Sequence, residues 1–349
     1  MPDTSRLNFA SDNAAPVLPE IMEALARANS GPARAYGNDP LTMKVEAKLK
    51  EIFECDLKAF PVATGTSANV LGLSVLTPPF GVVYCHRLAH IEEDECGAPE
   101  FYTGGAKLAL MEGEMGKLSA GALRTKIRHA GQGVPHHAQP AAISITQASE
   151  CGTLYRADEI SAIGEVAKEF GLSLHMDGAR FANAVASLNA APAEITWKAG
   201  VDVLSFGATK NGAMAVEAVV FFDLEKAREF EFRRKRGAHL FSKMRYLSAQ
   251  LDAYLANDLW LTTARKANAA AARLAEGINK IEGASLLYRP EANILFARLS
   301  QEVIARLAKT DIVYYPPSEA QPDVMRLVTS WDTREADVDL MLDVMTGKV

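Results

Sequence analysis

The stretch VLSFGATKNGA, from Val203 to Ala213, ends a strand-like apolar run with a single lysine among small residues. No bulky neighbour shields Lys210, because alanine, threonine, asparagine and glycine surround it. In an open parallel sheet, ligands bind in the crevice outside the carboxyl ends of the strands. The stretch therefore predicts that Lys210 faces such a crevice, although a lysine at a strand end is, by itself, more often structural or solvated.

Apolar, β-branched runs alternate with segments of helical periodicity on both sides of this lysine. The segment Ile160 to Phe170 has apolar residues at steps of three and four, and Gly171 provides a stop signal. LSLHMD, from Leu172 to Asp177, then reads as a strand. This alternation is typical of parallel strands joined by crossover helices, and it predicts an α/β fold.

The pattern of predicted helices and strands changes from about Phe241. A long alanine-rich helix is followed by the strand-like segments ANILFARL and VMRLVTSW. A chain of 349 residues favours one large domain and one smaller domain. We predict an N-terminal arm with a first helix over 1–40, a large α/β domain over 41–240 and a small α+β domain over 241–349.

Composition bears on partners and location. The net charge is −6, which gives no bulk attraction to nucleic acid or anionic membranes. The basic run Arg233 to Arg236 follows acidic residues and reads as a solvated helix face. No apolar stretch approaches the ~20 residues of a membrane span, and the first residues lack a secretion signal. We expect a cytoplasmic protein with small-molecule partners, no nucleic-acid or membrane partner, and its four cysteines as free thiols.

Common nucleotide and hydrolase signatures are absent, including G-x-G-x-x-G, G-x-x-x-x-G-K-[ST] and G-x-S-x-G. Polar residues at predicted strand ends remain. Asp177 ends LSLHMD and precedes Lys210 by 33 positions (210 − 177), which is room for a strand–helix–strand unit. Gly65, Thr66 and Ser67 stand at the start of a predicted helix, where free N–H groups and a partial positive charge favour a phosphate.

A phosphate cradle, an aspartate and a lysine, in this order, match the needs of pyridoxal phosphate. Lys210 would hold the aldehyde as a Schiff base, Asp177 would pair with the protonated ring nitrogen, and the helix start would anchor the phosphate. Each feature alone is weak evidence. The combination predicts pyridoxal 5'-phosphate as the cofactor.

From about Phe9 to the C terminus, the chain resembles the low-specificity threonine aldolase and phenylserine aldolase group of the β-eliminating lyases. The motifs that carry the resemblance are SDN (Ser11–Asn13), YGNDP (Tyr36–Pro40), TGTSAN (Thr64–Asn69), AHIEEDECGAPE (Ala89–Glu100), HMDGARFANA (His175–Ala184), SFGATKNG (Ser205–Gly212) and MRLVTSW (Met325–Trp331). The resemblance implies the aspartate-aminotransferase-like fold type I, with a mainly parallel seven-stranded sheet and a small C-terminal α+β domain. It also implies a homodimer or homotetramer with active sites at the subunit interface.

The resemblance assigns roles to individual residues. Lys210 would be the Schiff-base lysine, Asp177 the partner of the ring nitrogen, and His90 the residue stacked on the pyridine face. The full set expected at the cofactor is Gly65, Thr66, Ser67, His90, Asp177, Arg180, Lys210, Lys243 and Arg245. Of these, Lys243 or Arg245 would reach a partner subunit's phosphate.

Other residues are expected to bind the substrate carboxylate or to act across the subunit boundary. The resemblance implies that Ser11, Arg180 and Arg326 bind the substrate carboxylate; the planar guanidinium groups of the two arginines suit a carboxylate bidentately. Tyr36 would reach the neighbouring subunit's site.

The histidines leave alternatives open. Cys85, His86, His90 and Cys96 stand close together, but their irregular spacing disfavours a zinc site, and we expect no metal. We expect His86 to have a structural role. The resemblance implies that the loop residue His136 handles the β-hydroxyl proton of the substrate, directly or through a water. His137, His90 and a bound water stay open as alternatives.

The resemblance implies retro-aldol cleavage of L-β-hydroxy-α-amino acids to glycine and an aldehyde. L-Threonine, L-allo-threonine and L-phenylserine are the expected substrates. A β-eliminating lyase or an aminotransferase is the alternative within the fold, and the histidines His90 and His136 argue against it. A non-catalytic small-ligand-binding protein is the alternative outside the fold, and the missing glycine fingerprint disfavours it.

Overall fold

A computed structural model describes residues 7–349 of the chain. The strands are β1 (Lys58–Val62), β2 (Gly81–His86), β3 (Lys107–Met111), β4 (Gln139–Thr146), β5 (Ser173–Gly178), β6 (Val203–Gly207), β7 (Glu217–Phe221), β8 (Ala284–Leu286), β9 (Ile294–Leu299) and β10 (Val324–Val328). The helices are α1 (Pro19–Ala28), α2 (Pro40–Phe53), α3 (Gly65–Leu76), α4 (His90–Glu93), α5 (Ala98–Thr103), α6 (Ala120–Arg128), α7 (Ala157–Phe170), α8 (Phe181–Leu188), α9 (Leu224–Arg236), α10 (Arg245–Tyr254), α11 (Leu259–Ile278), α12 (Gln301–Leu307) and α13 (Glu335–Thr346). None of these helices, within the described residues, is long and apolar enough to cross a membrane.

Seven strands form the large sheet, in the order β1-β7-β6-β5-β4-β2-β3. The five strands from β6 to β3 are parallel, whereas β7 runs antiparallel to both β6 and β1. A separate antiparallel sheet has the order β10-β9-β8. The predicted fold class, with its mainly parallel seven-stranded sheet, is confirmed.

Helices cover both faces of the large sheet, which explains why its central strands are buried along their whole length. Alternate residues of one strand pack into the hydrophobic cores on opposite faces of the sheet. In β7, Val219 and Phe221 pack under α3 and α9, whereas Ala218 and Val220 pack with α2, α7, α8 and α10.

The predicted domain boundary at residue 240 stays a prediction, and the hydrophobic cores describe how this part of the chain packs. Tyr254 and Ala264 still belong to the core of the large sheet, because α10 packs against α1 and α2. The small-domain core begins at Ala270, halfway along α11. Phe9 also packs there, and its main chain pairs with Val313 and Val328, so this part of the predicted arm is a component of the small domain.

The basic run at the end of α9 is not wholly solvated. Arg234 is buried with its guanidinium 5.0 Å from the centre of the Phe60 ring, and burial lowers its pKa to about 10. Arg233 pairs with Glu229 one turn earlier. One face of the run therefore packs on the large domain.

Candidate active site

The strand register brings Asp177 and Lys210 to the same edge of the large sheet. Asp177 pairs with Thr146 of β4 and Ser205 of β6, near the carboxyl ends of these parallel strands. Lys210 follows β6 in a single 3-10 turn. Both residues line one cavity of about 340 Å³. The same cavity is lined by Asn13, Thr64, Gly65, Thr66, Asn69, His90 and Glu217, among others.

The start of α3 provides N–H groups to this cavity. Thr64 caps the helix: its hydroxyl accepts from the Ser67 N–H at 3.1 Å, and its carbonyl accepts from the Ser67 hydroxyl at 2.7 Å. Gly65 and Thr66 line the cavity, and the first N–H groups of a helix have no acceptor within it. Ser67 is buried, and its N–H and hydroxyl are already bonded. The cap thus engages the polar groups of Ser67, and its predicted role at the phosphate stays a prediction that Gly65 and Thr66 fit more directly.

A hydrogen-bonded chain connects Asp177 to His90. Asp177 accepts from the Ala179 N–H at 2.9 Å and from the Asn69 side chain at 2.8 Å. The Asn69 Nδ2 also donates to Glu95 at 3.0 Å, and Glu95 lies 2.8 Å from the Nδ1 of His90. Asn69 and Glu95 are buried, and this series of hydrogen bonds fixes the position of the His90 imidazole.

The electrostatics of the cavity favour a reactive amine. Burial lowers the pKa of Lys210, and the positive charge of Arg180 lowers it further. The hydrogen bond with Glu95 raises the pKa of His90. Burial raises the pKa of Glu217 to about 7. An amine whose pKa is lowered is more readily available as a nucleophile towards an aldehyde.

Arg180 and Arg326 come from different domains, and neither is among the residues that line the cavity of Lys210. Arg180 is buried and forms two hydrogen bonds to Asp12, at 2.8 and 2.9 Å. Asn293 of the small domain donates to the same carboxylate at 3.0 Å. Arg326 donates only to the Ala10 carbonyl, at 3.2 Å, and within residues 7–349 it has no carboxylate at salt-bridge distance. Arg326 is thus the freer of the two cations.

Ser11 immediately precedes Asp12, and its hydroxyl accepts from the Asn13 N–H at 3.2 Å. This hydrogen bond caps the short 3-10 turn from Asp12 to Ala14. The turn brings Asn13 to the wall of the Lys210 cavity, while Ser11 lines an adjacent depression.

The structure separates His136 from the Lys210 of its own chain. His136 precedes β4, whereas the site follows the other end of this strand. β4 is eight residues long, or roughly 25 Å at about 3.3 Å per residue. His136 and His137 are both exposed at the amino edge of the sheet. Within one chain, this loop lies at the edge of the sheet opposite Lys210, because parallel strands send their preceding loops to the opposite edge. The role of His136 stays a prediction.

Three other predicted residues are not among those that line the cavity of their own chain. The Tyr36 N–H donates to the Ser242 carbonyl at 3.0 Å, so the segments around 36 and 242 are neighbours. Tyr36 and Lys243 are exposed, and Arg245 donates to the Gly31 carbonyl at 2.7 Å. Roles for these residues in a neighbouring subunit stay predictions.

His86 has the structural surroundings that were expected. Its Nε2 lies 3.1 Å from the Gly113 carbonyl, and its Nδ1 accepts from the Leu88 N–H. The residues that the structure describes contain no group of three or more side chains placed to hold a metal.

Sequence reasoning missed four acidic residues at the site: Asp12, Glu95, Glu150 and Glu217. Glu217 begins β7 and accepts from the Ala208 N–H at 2.6 Å, two residues before Lys210. Glu150 follows β4 at its carboxyl end, and its charge interacts with those of Asp177, Arg180, Lys210 and His90. Its position just after the strand AAISIT was the available signal.

The fold and this cavity define the class of protein: fold-type I enzymes of the aspartate-aminotransferase type. The structure of threonine aldolase from Leishmania major superposes with a TM-score of 0.91 at 27% identity, over 98% of this chain and 99% of that one. A putative L-allo-threonine aldolase from Listeria monocytogenes gives 0.77 at 21% identity, over 99% and 97%. Alanine–glyoxylate aminotransferase from Nostoc sp. gives 0.68 at 18% identity, over 99% and 96%.

Sequence comparison narrows the class. The family model for beta-eliminating lyases matches residues 8–302. The low specificity L-threonine aldolase of Pseudomonas aeruginosa is 44% identical over 93% of both chains. That of Pseudomonas sp. strain NCIMB 10558 is 42% identical over 99% of this chain and 98% of its own. The chain therefore belongs to the beta-eliminating lyase family, in the group of low-specificity L-threonine aldolases, which confirms the predicted family.

Proposed function

We propose that this chain cleaves L-threonine to glycine and acetaldehyde with pyridoxal 5'-phosphate as its cofactor. The observation that carries the proposal is the meeting of Lys210, Asp177 and the start of α3 in one cavity. The names of the Pseudomonas relatives support the choice of substrate.

The residues present fit the cofactor. Lys210 is a buried amine with a lowered pKa, suited to binding the aldehyde covalently. Asp177 is buried and oriented by Asn69 and Ala179, which suits a carboxylate that must hold a ring nitrogen protonated. Gly65 and Thr66 offer N–H groups to the phosphate. When bound, pyridoxal phosphate would accept the electron pair of the broken Cα–Cβ bond.

Substrate binding rests on the two arginines. Arg326 has hydrogen-bonding capacity left for a carboxylate, while Arg180 is held by Asp12. The two guanidinium groups, with Ser11 nearby, would orient the amino acid so that the Cα–Cβ bond is the one that breaks. His90, tied to Glu95, would lie over the cofactor ring.

The proposal extends to related substrates, assembly and location. L-allo-Threonine and L-phenylserine share the β-hydroxyl and the α-carboxylate that these residues recognise. The exposed segments around Tyr36 and Lys243 support a homodimer or homotetramer with sites at its interface. The four cysteines form no disulfide in the structure, which supports a reducing, cytoplasmic location.

The test is a product assay with Lys210→Ala and a matched control. Wild-type protein with pyridoxal phosphate should convert L-threonine to glycine and acetaldehyde and should show the visible absorbance of the bound cofactor. Lys210→Ala should abolish both, because Lys210 is the one lysine among residues 7–349 that lines the cavity. Lys107→Ala, which removes an exposed amine from β3, should change neither.

Two outcomes would contradict the proposal. Wild-type protein that makes no glycine from L-threonine, but releases ammonia and pyruvate from substituted alanines, would be a β-eliminating enzyme. Full turnover by Lys210→Ala would place the covalent bond on another lysine.

A further inference from the structure

Glu150 lies on a tightly held turn directly after β4. The main chain closes the turn from both sides, with Ser149 N–H to the Thr153 carbonyl and Gly152 N–H to the Ser149 carbonyl, each at 2.9 Å. The hydroxyls of Ser149 and Thr153 lie 2.7 Å apart, and both donate towards the Met115 carbonyl. These groups are buried, so the position of Glu150 is fixed by the fold.

The turn lies between the large sheet and the small domain. On one side, the Gln147 N–H donates to the Asp177 carbonyl at 2.8 Å. On the other side, the Gly152 carbonyl accepts from the Glu291 N–H at 3.0 Å, shortly before β9. Glu150 therefore lies in the cleft between the domains, at the edge that carries Lys210.

The Glu150 carboxylate is partly buried, and it has no hydrogen bond or ion pair within residues 7–349. Burial raises its pKa, the negative charge of Asp177 raises it further, and the surrounding cations oppose these effects. The charged and titratable groups that act on it are Asp177, Arg180, Lys210, His90 and Arg326. These charged groups belong to the same cleft, which agrees with the position of the turn after the carboxyl end of β4.

The other candidate proton acceptors of the site are already engaged. The Nδ1 of His90 is bound to Glu95, which raises the imidazole pKa and favours a protonated ring that donates. Asp177 accepts two hydrogen bonds, and Glu217 accepts from the Ala208 N–H. His136 lies at the far edge of the sheet. Among these acids, within residues 7–349, Glu150 is the one for which neither carboxylate oxygen has a hydrogen-bond partner.

We propose that Glu150 is the catalytic base that takes the proton of the substrate's β-hydroxyl group, an inference that rests on the proposed function. The O–H bond breaks and its proton passes to the Glu150 carboxylate. The oxygen's electron pair forms the C=O bond of the aldehyde as the Cα–Cβ bond breaks, and bound pyridoxal phosphate would supply the electron sink for the pair left on Cα. A proton then adds at Cα to give glycine, so that one hydrogen has moved from oxygen to carbon overall.

The experiment compares Glu150→Gln, Glu150→Asp and the control Glu165→Gln in the enzyme loaded with pyridoxal phosphate. Glu165 is an exposed carboxylate on α7. Three quantities are measured: kcat for L-threonine cleavage, exchange of the glycine α-proton in D2O, and the visible absorbance of the cofactor. Glu150→Gln should lower kcat by about 10²-fold or more, because loss of a general base typically costs 10²–10⁴-fold.

Exchange of the glycine proton involves no β-hydroxyl group, so Glu150→Gln should keep it within about threefold of the wild type. The absorbance should be unchanged, Glu150→Asp should recover part of kcat, and Glu165→Gln should match the wild type in every measurement.

Several results would contradict the role of Glu150 as the base. A kcat of Glu150→Gln within threefold of the wild type would overturn the inference, and so would an equal loss of cleavage and glycine exchange. If Glu150→Gln fails to bind the cofactor, Glu150→Asp decides: at least tenfold lower kcat with normal exchange supports the base, and an unchanged kcat rejects it. Wild-type protein inactive towards L-threonine would instead reject the proposed function itself.

Discussion

At the scale of single residues, the site depends on carboxylates whose oxygens have different partners. Asp177 is held by Asn69 and Ala179, Asp12 is bound to Arg180, and Glu150 is left free. Because the partners differ, the same functional group can serve as an ion-pair partner, an orienting group or a base. The distribution of hydrogen bonds, more than residue type, separates these roles.

Asp177→Asn should keep the cofactor bound and lower turnover by at least about 100-fold, since an amide cannot hold the ring nitrogen protonated. Its new NH2 group would face the Asn69 NH2 group, 2.8 Å away in the wild type. Rotation of the Asn69 amide would relieve this conflict, because its Oδ1 has no partner within residues 7–349. The same rotation would cost the hydrogen bond to Glu95.

Steady-state kinetics and the cofactor absorbance test this substitution. Asp202→Asn is the control, because Asp202 accepts from the Leu174 N–H before β6, at the opposite edge of the sheet. Wild-type turnover in Asp177→Asn would contradict the assigned pairing. Loss of cofactor from both variants would show that the effect is one of general stability.

At the scale of elements, the predicted strands around Lys210 were those with continuous apolar runs. β3 was not predicted because it is a short edge strand with three partly buried or exposed residues in its centre. β1 was hidden by Pro61, which the fold tolerates because β1 lies at the edge of the sheet. The Gly-Thr-Ser helix start was predicted, but the use of Ser67 in the cap depends on side-chain geometry that spacing does not reveal.

The start of α3 should contribute separately to stability and to cofactor affinity. Thr64→Ala removes the cap of α3 and should cost about 1 kcal/mol of unfolding free energy. It should also weaken pyridoxal phosphate binding severalfold, because the cap orients the N–H groups of Gly65 and Thr66.

Ser119→Ala is the matched control for this substitution. Ser119 caps α6 with a hydrogen bond of 3.2 Å to the Ala122 N–H, close to the 3.1 Å of the Thr64 cap. Ser119→Ala should lower the free energy of unfolding by a similar amount and leave the dissociation constant of the cofactor unchanged. Denaturant unfolding and cofactor titration measure the two effects, and equal affinity in both variants would argue that the phosphate binds elsewhere.

At the scale of the whole molecule, the site is assembled from contacts between distant parts of the chain. Asp12 meets Arg180 across 168 residues and Asn293 across 281. No local pattern encodes such distances, which is why Asp12 and Asn293 escaped sequence reasoning whereas Lys210 and Asp177, at strand ends, did not. His136 shows the converse: its residue type suited the chemistry, but the direction of β4 places it at the other edge.

The expected contribution of Tyr36 to a neighbouring subunit can be tested by mixing inactive chains. Lys210 lines the cavity of its own chain, whereas Tyr36 lies on the surface and 48% of it is exposed. If Tyr36 completes the partner's site, a Lys210→Ala chain paired with a Tyr36→Ala chain forms one site with both native residues. Random pairing would then restore about a quarter of the wild-type activity, since half of the dimers are mixed and one of their two sites is intact.

The control for this experiment mixes Lys210→Ala with Asp177→Asn. Both residues line the same cavity of one chain, so every site in the mixture lacks one of them and no activity should return. Each mixture is unfolded, refolded with pyridoxal phosphate and assayed for glycine from L-threonine. Recovery only with the Tyr36→Ala chain requires that the site be shared between subunits. Absence of recovery, with Tyr36→Ala itself inactive, would place the action of Tyr36 within its own chain.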